Sequence, residues 1–148
     1  MTVVVNPSFV DALLGPITGG ADIDTRTERH RGLDPDDEAA VRAVIRNDLV
    51  PYYRRWDATS QVAGRLALAW CLSWRPERLT DAFEGSLPPF NAPAEPAQFF
   101  EWLWDELFPG EDHTIGRAGV EERDNPAAAN EIVLAPVPPG NGATSGQG

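Results

Sequence analysis

Lysine is absent from this chain of 148 residues, and all 12 basic side chains are arginines. With no lysine there is no Schiff-base amine, no P-loop cation and no target for lysine modification. The abundance of Ala, Gly, Pro and Arg fits GC-rich coding better than selection for heat resistance, under which lysine is usually enriched. Cysteine occurs once, at Cys71, which excludes an internal disulfide and any cysteine-based zinc site. Long apolar runs are missing too. The longest, Leu66 to Trp74 with Ser73 inside it, covers about nine residues, and a membrane-spanning helix needs roughly 20. Met1 to Val10 carries no basic side chain and only the Val3–Val5 run, which is not the pattern of a signal peptide. The expected location is the cytoplasm of a bacterium-like cell. Strand signals are scarce and internal repeats absent. A Gly-x-Ser-x-Gly elbow, a Gly-rich phosphate fingerprint and a Glu-x-x-His pair are all missing. The motifs identify no reaction, and no cofactor or metal is expected.

Acid is what the chain has in excess: 23 Asp and Glu give a formal net charge of −11. That balance disfavours nucleic acid, whose phosphates need clustered cations. It favours a basic partner, if the partner is charged at all. The charge is uneven, since residues 85–112 contain no arginine and sum to −6.

Asn6-Pro7 predicts a short helix ending near Gly15, with Asn6 as cap and Pro7 at the first helical position. Asp34-Pro35-Asp36-Asp37-Glu38 predicts a second start, with Asp34 capping. Val41, Ile45, Leu49, Tyr52 and Trp56 follow at helical spacing, with a kink or break expected at Pro51. Asp57 or Thr59 can cap the next helix, which is apolar nearly all round from Val62 to Trp74 and belongs at the centre of a bundle. Gly64 leaves room there for a close neighbour. Pro76 ends this helix or begins a short one closed by Gly85. A last helix runs from about Pro96 to Phe108 and stops at Pro109-Gly110. Beyond it Glu131 to Val137 extends as a short strand or lies along another surface, and residues 138–148 lack the apolar content to order themselves. The expected fold class is all-α: a small irregular bundle of four to five helices around a central apolar helix, with an extended or disordered C-terminal tail. The expected divisions are 1–33 (short helix plus polar loop), 34–110 (helical core) and 111–148 (tail).

The segment from Phe99 to Phe108 carries the main functional expectation. On a helical wheel its apolar arc takes about half the circumference, with Trp102 isolated on the other side, while one packing contact covers roughly 100°. Either the helix is wedged between neighbours, or part of its aromatic face meets another molecule. The second case assigns Phe100, Trp102, Trp104 and Leu107 as anchors, with Glu101 and Asp105 beside them. The acids Glu95, Glu101, Asp105, Glu106, Glu111 and Asp112 steer such a face toward a basic protein. The weaker clusters have structural readings. Tyr52-Tyr53-Arg54-Arg55-Trp56 reads as a helix end. Arg26, Arg29, His30 and Arg31 read as a solvated loop. Glu111-Asp112-His113 are too close in sequence to converge on a metal, and Cys71 is too apolar in context to be a nucleophile. The functional expectation is a non-catalytic acidic interaction module, such as an accessory subunit, inhibitor or immunity-type protein, that binds a larger and basic protein. Its tail would wrap that partner through Ile132-Val133-Leu134. The alternative is a small helical enzyme or ligand-binding protein using Asp48, Arg54 and Arg55 near Tyr52 and Tyr53.

Overall fold

A computed structural model describes residues 2–17, 33–86 and 95–135. Its elements are β1 (Val3–Val5), α1 (Ser8–Leu13), α2 (Glu38–Val44), a π-helical turn (Ile45–Leu49), α3 (Val50–Arg54), α4 (Ala58–Trp74), α5 (Pro76–Ser86), α6 (Pro96–Leu107), β2 (Val120–Glu122) and α7 (Pro126–Ala129). The fold is a small all-α bundle with little strand.

The caps explain where helices begin. The Asn6 carboxamide accepts from the Ser8 amide at 3.1 Å, and Pro7 takes helical angles. Asp57, rather than Thr59, caps α4 by accepting from the Ser60 amide and hydroxyl. The expected start at Asp34 is corrected by one turn. Asp34 accepts from the Asp36 amide in a local turn, so the cap passes to Asp37, which accepts from Ala40. Pro51 does not break the chain. Because proline has no amide to donate, the turn before it widens into π geometry and the helix continues as α3.

Helix α4 packs against α1, α5, α6 and β1. Ala67 through Cys71 are all buried, as expected of a central helix. Its first turns are not enclosed, since Val62 is 67% exposed. Gly64 admits the Trp56 ring. Helix α6 lies against α2, the π turn, α4 and α5, a position that accounts for its wide apolar face.

From Gly110, whose φ is +80°, the chain returns across the bundle as a strap. Ser73 donates to the His113 carbonyl and Trp74 Nε1 to the Ile115 carbonyl. Strand β2 then pairs in parallel with β1, Val3 opposite Val120 and Val5 opposite Glu122. Trp70 Nε1 and the Arg75 guanidinium both donate to Glu122. Residues 132–135 end the described chain against Arg55–Asp57. Among the described residues no helix is long and apolar enough to cross a membrane.

Candidate functional site: the aromatic helix and its carboxylates

The interior aromatic stripe of α6 is sealed by the chain itself. Phe99 and Phe100 are fully buried, Phe99 standing edge-on to Phe83 of α5. Trp104 is 1% exposed and Trp102 8% exposed, and Leu107 is buried with them. The far side of Trp104 is closed by residues after the helix stop. Its Nε1 donates to the Glu111 carbonyl at 2.8 Å, His113 stands edge-on to the ring, and Phe108 packs at 4.5 Å. The Arg65 guanidinium of α4 lies 5.2 Å from the Trp104 ring and 4.7 Å from Phe108, and pairs with Glu111. This corrects the expectation that Phe100, Trp102, Trp104 and Leu107 are offered to a partner. The helix is wedged among α2, α4 and α5, and the return of the chain after Pro109-Gly110 covers what they leave. A wheel drawn on the helix alone cannot contain that returning segment.

The carboxylates divide into two groups. Asp105 accepts from Arg42 at 3.0 Å, while Glu106 accepts from Arg42 at 3.1 Å and Arg46 at 3.1 Å. Hydrogen bonds from the Arg46 and Arg42 guanidiniums hold the Glu106 carboxyl below its usual range. These acids fasten α6 to α2 and the π turn. Asp112 accepts from the Thr114 amide. By contrast Glu95 and Glu101 are exposed and have no cation among the described residues, as are Asp81 and Glu84 on the adjoining α5.

The other clusters disperse. Tyr53 is buried and donates to the Gln61 carbonyl at 2.7 Å, burial pushing its hydroxyl up to about 12. Arg54 is exposed, and Arg55 turns to the Ala135 carbonyl. Of the alternative Asp48, Arg54, Arg55, Tyr52 and Tyr53 set, Tyr53 and Arg55 are thus engaged with main-chain carbonyls of the same chain. Tyr52 instead lines an open groove of about 340 Å³ with Ala12, Gly15, Asn130, Ile132 and Leu134. Glu111, Asp112 and His113 face Arg65, Thr114 and Trp104 respectively. Among the described residues no three His, Cys, Asp or Glu side chains gather as metal ligands. Cys71 is fully buried, and burial pushes its thiol up to about 12, which disfavours a thiolate. Arg26, Arg29, His30 and Arg31 lie outside the described residues, as do residues 136–148.

Within the Glu131–Val137 stretch, expected to extend as a short strand or to lie along another surface, residues 132–135 dock on the chain's own Arg55–Asp57, a surface the sequence does not name. The signal available for it is Pro136, which biases Ala135 toward extended backbone. No family model, curated protein or solved structure matches the chain.

Proposed function

We propose that the chain is a non-catalytic acidic interaction module, of the accessory-subunit, inhibitor or immunity type, that binds a larger and basic protein through the outer face of α5 and α6. The observation that supports this reading is the distribution of charge that has no cation partner among the described residues. Arg42, Arg46, Arg65, Arg75, Arg78 and Arg123 all pair with carboxylates of the same chain. Asp81, Glu84, Glu95 and Glu101 stay exposed on two helices that pack together, in a stretch that contains no arginine from Leu79 to Gly116. Like charges held in fixed positions steer a cationic surface and set its register. The recognition is thus by carboxylates, with the aromatic residues beneath them serving as a rigid floor.

The test is co-purification of the tagged chain from its native host, wild type beside the Glu84→Arg, Glu101→Arg double variant. The expected result is a stoichiometric basic protein retained by the wild type and lost by the variant, with equal helical circular dichroism. Retention that ignores charge reversal sinks the reading. Trp102→Ala and Trp104→Glu are not clean tests, because removing a buried tryptophan costs about 3–5 kcal/mol and so loosens the helix itself.

A further inference from the structure

We draw no further inference here: the strongest candidate, the open groove between Ala12, Gly15, Tyr52 and Asn130 beside the docked residues 132–135, carries nothing, because nothing among the described residues shows what covers it.

Discussion

A Cβ built on Gly64 sits 2.7 Å from Cζ3 of Trp56 and 3.4 Å from Tyr53. Neither ring can yield easily. Trp56 is held by Phe9, Tyr52 and Tyr53, with centroids 6.2, 5.9 and 5.2 Å away. Gly64→Ala therefore gains about 1 kcal/mol of helix propensity but loses roughly 1–3 kcal/mol to overpacking. The net expectation is a lower midpoint in urea denaturation. Gly85 is the internal control, because a Cβ there meets nothing within 4 Å. Gly85→Ala is expected to stabilise by about 0.5–1 kcal/mol or less, since it lies near the end of α5. If both alanines shift the midpoint the same way, the close approach of Trp56 to α4 is not what fixes Gly64. The need for a small residue at Gly64 was legible in the sequence. The neighbour it admits was not, because Trp56 reaches α4 only after the turn at Asp57 reverses the chain.

At the scale of elements, α6 is fastened to α2 and the π turn by Arg42, Arg46, Asp105 and Glu106. Arginine bonds depress the Glu106 carboxyl in the folded chain, Arg46 contributing most. A depressed folded value means the stabilisation is complete above the unfolded glutamate value of about 4.3 and is lost as pH falls through the folded value. The chain is expected to lose melting temperature as pH drops below about 4.3, and Glu106→Gln to lose less over the same interval while starting lower at pH 7. Parallel acid profiles for the two proteins, followed by circular dichroism, count against the clamp. The π turn in the same region shows how far periodicity carries a reading. Val41, Ile45 and Leu49 fall on the buried face at the expected spacing, but beyond the wide turn Tyr53 is buried and Tyr52 only half so. A π turn holds one residue more than an α turn, so the face advances by one position. Pro51 signalled an irregularity, but only the backbone shows that it is absorbed as a register shift. The carboxylates of α6 were legible in the same limited way. Their presence was plain, whereas which of them Arg42 and Arg46 neutralise depends on a packing between helices some 60 residues apart.

For the molecule as a whole, the decisive geometry is that the first strand, Val3–Val5, is closed by Val120–Glu122 from the segment after the helices. Parallel pairing sets Val3 against Val120, and a bare two-stranded sheet is marginal in water. Reciprocal asparagine bonds reinforce it. Asn6 Nδ2 donates to the Asn125 carbonyl at 2.8 Å, the Asn125 amide donates to Asn6 Oδ1 at 2.9 Å, and Ser8 adds a bond to Asp124. Closing a loop of this length costs entropy before any contact repays it. The helices α4, α5 and α6, by contrast, are sequence neighbours and can pack first. The closure is thus expected to form after the folding transition state and to open without melting the bundle. Asn6→Ala removes a helix cap and both bonds to Asn125, a loss of about 1–2 kcal/mol. That loss is expected almost wholly in a faster unfolding rate, with the refolding rate nearly unchanged. Hydrogen exchange separates the parts in the same variant: the amides of Val3 and Arg123, which cross the sheet, lose protection, while those of Ala67 to Cys71 in α4 keep theirs. A refolding rate that falls in proportion to the lost stability would place the closure inside the nucleus. The helices would then depend on the strap rather than the strap on the helices, and no segment of it could be displaced without unfolding the bundle.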